Sequence, residues 1–307
     1  MKISGVMPPI TTPFDKSGDL STGKLKDNFQ KWNDTGLSGY LVLGSNGENV
    51  YLTDNERLRI IEISRECIPK SKTMIVGTGR ESTRETIEFT NRAAELGADC
   101  ALVITPSFFR SSMKPDILYD HFVAVAESSS TGVLLYNVPQ YTGVNLEPEL
   151  VVRLSRHSNI LGIKDSSGNI EQLSRIIDLS RKDFVVLVGS APVFFAALCV
   201  GAVGGILAAA NVAPQEFVAI QALFNEDRIA DARALQTRLT PLAVAVTTTY
   251  GIGGLKTAMD LAGYYGGAPR LPLKPADHEA KAGLKRLLEQ LRESNKELLW
   301  NSSEATM

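Results

Sequence analysis

The sequence predicts an α/β fold, a closed (β/α)8 TIM barrel with a C-terminal helical extension. Three observations lead there. Short β-rich apolar runs alternate with helical patterns from the start of the chain to about residue 210, and strands separated by helices pair in parallel through right-handed crossovers. The runs are continuously apolar, so both faces of the sheet are covered. An open doubly wound sheet, the competing architecture, calls for a G-x-G-x-x-G turn after an early strand. The nearest match, GTGRES (77–82), lacks the third glycine and follows the third strand. Eight regular units in about 210 residues favour the barrel.

The elements follow in order. The first strand is GVMPPI (5–10), and a helical pattern over 21–35 leads to GYLVL (39–43). Helix 54–68 opens on Thr53 with Glu56, and helix 82–96, after strand TMIVG (73–77), on Ser82 with Glu85; both are capping signals. Strand CALVI (100–104) and helix 116–128 come next, then GVLLY (132–136) and helix 147–156, then ILGIK (160–164) and helix 169–181. Residues 184–215 carry no charge, and length alone would admit a membrane span. Gly189, Pro192, Gly201, Gly204 and Gly205 instead cut the segment into strand FVVLV (184–188), helix 191–200 and strand VGGIL (203–207). From about Ala213 the chain reads as helices at 215–224, 226–248, 251–262 and 276–298. Amphipathic stretches such as LKRLLEQL fit packing on the barrel or on another subunit. No linker interrupts the chain, which predicts one domain over 1–307: a barrel core at 1–212, then the last barrel helix and C-terminal helices at 213–307.

Composition excludes several classes of function. At 44% hydrophobic and 21% charged the chain is an ordinary globular one, and a net charge of −2 without a long basic run argues against nucleic acid or an acidic membrane as partner. Cys67, Cys100 and Cys199 lie far apart, which reads as reduced thiols in a cytoplasmic protein. MKISGVMPPITTPF has neither a signal core nor an Arg-rich transit pattern, in keeping with that localisation. His121, His157 and His278 fall on or beside helices and are expected at the surface, so no histidine–carboxylate cluster gathers at strand ends and no metal site is expected. Neither a G-x-S-x-G elbow nor a P-loop occurs.

Barrel chemistry sits where strands end and βα loops begin. Those positions are Thr11–Thr12, GSNGE (44–48), Thr78, Thr105–Pro106, Tyr136, Lys164, Gly189–Ser190 and Ile206. Lys164 closes an apolar run, so either the run reaches the surface there or the protein uses a neutral amine. At a pKa near 10.4 only about one amine in 2,500 is neutral at pH 7; lowering it by about three units, roughly 4 kcal/mol, creates a nucleophile fit for a Schiff base. Tyr136 ends the neighbouring strand, and at a strand spacing of about 4.8 Å its hydroxyl can approach the amine and shuttle protons. GSNGE offers backbone N–H groups and two side-chain donors for a carboxylate.

GSNGE, YNVP and GIKDSSG, in this order and on these strands, resemble the dihydrodipicolinate synthase / N-acetylneuraminate lyase family of pyruvate-dependent aldolases, over nearly the whole chain. The resemblance implies a barrel, a homotetramer, a small 2-oxo acid substrate and no metal or organic cofactor. It implies that Lys164 forms the Schiff base, that Tyr136 relays protons and that Ser45 and Asn46, with Gly47, bind the substrate. It also brings the carbonyl of Ile206 to face the site, and Gly189 and Ser190 complete the substrate-binding set. In synthases of the family an arginine follows YNVP by two residues, where this chain has Tyr141. A tyrosine of the loop after strand four is replaced here by Phe108 or Phe109. The GSNGE loop, GSAPVFFAALCVGAVGGILAAANV and YGIGGLKTAMDLAGYYGGAPRLPL look closest to members that cleave 4-hydroxy-2-oxoglutarate to pyruvate and glyoxylate. A 2-keto-3-deoxy sugar acid aldolase is the alternative, a dihydrodipicolinate synthase is a further one, and a non-catalytic 2-oxo acid binding protein is the reading from a different class.

Overall fold

The computed structural model describes residues 3–304, with side chains described as far as residue 293. Eight parallel strands form one sheet: β1 Gly5–Met7, β2 Gly39–Val42, β3 Thr73–Gly77, β4 Cys100–Ile104, β5 Gly132–Asn137, β6 Ile160–Asp165, β7 Val185–Val188 and β8 Gly204–Ile206. Their order, β1-β8-β7-β6-β5-β4-β3-β2, becomes a barrel because β1 also meets β2. Pro9 bridges Leu41, and Ser38 N–H and Leu41 N–H donate to Val6 O and Pro8 O.

Helices alternate with the strands: α1 Thr22–Asn33, α2 Asp54–Cys67, α3 Thr83–Glu95, α4 Pro115–Ser128, α5 Pro139–Thr142, α6 Pro148–Leu154, α7 Ile170–Leu179 and α8 Phe194–Cys199. Thr53 and Glu56 form a full capping box at α2, and Ser82 accepts the Glu85 N–H at α3. After β8 come α9 Pro214–Asn225, α10 Ile229–Val244, α11 Gly251–Leu261 and α12 His278–Glu304; residues 305–307 of the expected extension lie outside the described residues.

Three departures from the sequence reading have local causes. α5 is a single turn begun by Pro139, too short to give a period. The segment expected as helix 226–248 starts late, because Asp227 is left-handed (φ 61°), and it passes into a π-type turn at Ala245–Thr249 beyond the internal Pro241. His121 is not at the surface: it is buried on the core side of α4 beside Leu118, Phe122 and Val125, and it shares a 2.8 Å hydrogen bond with Thr83 Oγ1. Burial pushes its pKa down to about 4. His157 is half-buried and His278 exposed.

The core has two layers. Alternate strand residues Met7, Leu41, Ile75, Leu102, Leu134, Tyr136, Leu187 and Ile206 fill the barrel, while their neighbours pack outward against the helices. The uncharged stretch 184–215 resolves into β7, α8, β8 and turns. Among the described residues no helix is long and apolar enough to cross a membrane.

Candidate active site

Lys164 is the penultimate residue of β6, and its Cα partner in β5 is Tyr136, with Leu134 opposite Gly162. Pleating sends alternate residues to opposite faces, so Lys164 shares the inner face with Tyr136 while Ile163 and Asp165 face outward. Lys164 is 3% exposed, and its Nζ lies 4.3 Å from the centroid of the Tyr136 ring. Burial in this apolar setting lowers the Lys164 pKa to about 7. About half of the amines are then neutral at pH 7, against less than one in a thousand for a free lysine.

Tyr136 is buried, and burial raises its pKa, opposed by hydrogen bonding from Ser45 and Ser166. Its hydroxyl stays protonated near neutrality, 3.3 Å from Ser45 Oγ. Ser45 opens the short turn Ser45–Gly47 after β2. Thr12 Oγ1 donates to Gly47 O at 2.6 Å, tying that turn to the loop after β1. The N–H groups of Gly47 and Glu48 close onto Gly44 O and Ser45 O, so Gly47 serves the turn and the side chains of Ser45 and Asn46 are the donors offered outward.

Gly189 abuts the amine directly. A Cβ there would lie 2.9 Å from Lys164 Cε and would overlap Ser166 Oγ. Gly189 N–H also donates to Asp165 O at 2.6 Å, fixing β7 against β6. Ser190 heads the following turn, on the side where Gly168 of the β6 loop approaches it. Ile206 ends β8, paired with Met7 and buried among the inner residues. Lys164, Tyr136, Ser45, Gly189 and Ile206 therefore meet at the C-terminal end of the barrel, and Asn46 and Ser190 stand on loops at the same end.

Asp165 was not anticipated. Its carboxylate is buried on the outer face and accepts from Asn137 Nδ2 (2.8 Å), Gln172 Nε2 (2.8 Å), Ser167 N–H (2.9 Å) and Ser167 Oγ (2.5 Å). Ser166 N–H donates to Asn137 O at 2.8 Å. Four neutral donors satisfy the anion and lock the ends of β5 and β6, which fixes the register of Tyr136 and Lys164. The local signal is the alternation itself, since the residue after an inward lysine must face outward. Ser166, beside both Gly189 and Tyr136, was likewise missed. Among the described residues no three His, Cys, Asp or Glu side chains converge as a metal site would need. A buried amine about half neutral at pH 7, a protonated phenol hydrogen-bonded to a serine, and small polar donors suit carbonyl attack and proton transfer.

A sequence model of the Dihydrodipicolinate synthetase family matches residues 2–291. The 4-hydroxy-tetrahydrodipicolinate synthase of Methanothrix thermoacetophila is 40% identical over 288 residues, covering 94% of this chain and 96% of its own. The enzyme of the same name from Methanosphaerula palustris is 38% identical over 287 residues, covering 92% and 98%. Among solved structures, the dihydrodipicolinate synthase of Thermotoga maritima matches with a TM-score of 0.90 at 31% identity, over 94% of this chain and 98% of that one. A prophage protein of the dihydrodipicolinic acid synthase family from E. coli K12, solved in complex with pyruvate, matches with a TM-score of 0.89 at 31% identity, over 95% and 99%.

Proposed function

The chain belongs to the dihydrodipicolinate synthetase family and is a carbon–carbon lyase of the lysine Schiff-base kind; from that premise we propose that Lys164 is its nucleophile and that it cleaves 4-hydroxy-2-oxoglutarate to pyruvate and glyoxylate. The observation that carries this reading is the buried Lys164 amine, near pKa 7, packed on the ring of Tyr136. Neutral Nζ attacks C2 of the substrate, and loss of water leaves an iminium that draws electrons from the C3–C4 bond. As that bond breaks and glyoxylate departs, Tyr136 takes the proton of the C4 hydroxyl while handing its own phenolic proton to Ser45 Oγ, 3.3 Å away, and through it to solvent. The enamine is protonated at C3, and water releases pyruvate and restores Lys164. Ser45 and Asn46 hold the carboxylate next to C2.

The names of the curated relatives favour a second reading, dihydrodipicolinate-type synthesis. Against it stands Tyr141, 64% exposed on α5 at the position where synthases of the family carry a carboxylate-binding arginine; a phenol lacks the guanidinium's bidentate charge. Phe108 and Phe109 likewise offer no hydroxyl for relay. At 79% and 70% exposure, ring against ring at 5.1 Å, they support burial between subunits of a homotetramer, which light scattering tests. Pyruvate release from 4-hydroxy-2-oxoglutarate, a 2-keto-3-deoxy sugar acid in parallel, and condensation of pyruvate with aspartate semialdehyde separate the candidates. Fastest turnover of the first supports the proposal; preference for the sugar acid moves the substrate and keeps the mechanism; efficient condensation replaces cleavage by synthesis.

A further inference from the structure

A fully buried ion pair takes no part in the chemistry above. Lys256 Nζ of α11 lies 2.5 Å from Glu48 Oε1, and both side chains are 0% exposed. Glu48 directly follows the turn Ser45–Gly47 and is left-handed (φ 56°, ψ 32°), a conformation that a non-glycine residue holds only when its surroundings enforce it. The surroundings do so from the far end of the sequence. Arg270 N–H donates to Glu48 Oε2 at 2.7 Å, and Lys256 Nζ also donates to Ala268 O at 3.1 Å. Lys256 and Arg270 both lie on the ring of Phe14, at 4.4 and 4.3 Å from its centroid. Arg270 is anchored in turn by Glu56, Gly18 O and Tyr51 O.

A buried ion pair is a poor way to gain stability, because an apolar pair of similar volume does as well or better; its use needs another reason. Here the reason is position. One end of the pair is rigid in α11, and the other is covalently continuous with the turn whose Ser45 Oγ touches Tyr136. We propose that Glu48 and Lys256 are positioning residues, a strut from the C-terminal helices that sets the Ser45–Gly47 turn at the spacing needed to grip a 2-oxo acid carboxylate beside Lys164. The inference rests on the reading of Lys164 and Ser45 given above.

The test is borohydride trapping of pyruvate on Lys164, read separately as maximal rate and as the pyruvate concentration giving half that rate. The double variant E48Q/K256M removes both charges without leaving either unpaired, and E48D keeps the charge while shortening its reach. Both are expected to raise half-saturating pyruvate about tenfold or more while the maximal rate stays within about threefold, since Lys164 and its apolar setting are untouched. E48Q alone keeps one oxygen for Arg270 N–H but turns its amide NH2 toward the Lys256 ammonium, and is expected to raise half-saturating pyruvate at least as far as E48Q/K256M does. Half-saturation within about twofold of wild type in E48D, or in E48Q/K256M at a temperature where it is folded, overturns the strut. Failure of the wild-type chain to trap pyruvate overturns instead the assignment of Lys164, on which the strut depends.

Discussion

Replacing Lys164 by methionine tests whether the protein holds this amine neutral, through stability and independently of any substrate. Methionine has similar length and no charge, so the packing against Tyr136 is kept. In the folded chain the amine titrates at about 7, and in the unfolded chain at its ordinary 10.5. Between those values the unfolded chain binds one more proton than the folded one, so wild-type stability rises with pH across that window. Below pH 7 the folded state carries the full cost of a buried cation, at most about 5 kcal/mol for the whole interval, and above 10.5 it carries none. Lys164→Met has no such dependence, and other groups cancel in the difference between the two proteins. The variant is therefore more stable than wild type at low pH, and its advantage shrinks by about 2–3 kcal/mol from pH 6 to pH 9. Urea unfolding at several pH values measures it. A difference that is constant to within about 0.5 kcal/mol would refute the neutral amine and with it the purpose assigned to the burial.

Gly189→Ala is expected to lower kcat by about tenfold to a hundredfold. Its Cβ would lie 2.9 Å from Lys164 Cε, against an optimum of about 3.5–4.0 Å, and the 2.6 Å bond from Gly189 N–H to Asp165 O stops β7 from yielding. Steady-state kinetics check it, and a variant with wild-type kcat would show that the amine has room to spare. Tyr136→Phe keeps the ring under Lys164 and removes the hydroxyl; kcat should fall by about a hundredfold or more with little change in KM, and full activity would take Tyr136 out of the relay.

All eight strands stand within a few residues of where their apolar runs place them, because a strand covered on both faces must be apolar throughout. The same regularity made Lys164 and Tyr136 legible: residues ending adjacent parallel strands on one face must meet, and they are partners in the ladder. What was missed depends on distant chain or on a period left uncounted. His121 stands three residues after Leu118 and four before Val125, a helical spacing that marks it as buried. Asp165 gave only half a signal, since alternation turns it outward while its partners come from β5, the β6 loop and α7. Lys256 gave none, because nothing in GGLKTAMD reveals that its counter-charge is Glu48, in the loop after β2.

The most direct test of the central claim is mass spectrometry of the wild-type chain after borohydride reduction with saturating pyruvate. The account predicts one stable adduct per chain, mapped to Lys164, with a rate that rises as pH passes through about 7, the pKa of the buried amine. An unmodified Lys164, or an adduct on another lysine, would contradict it.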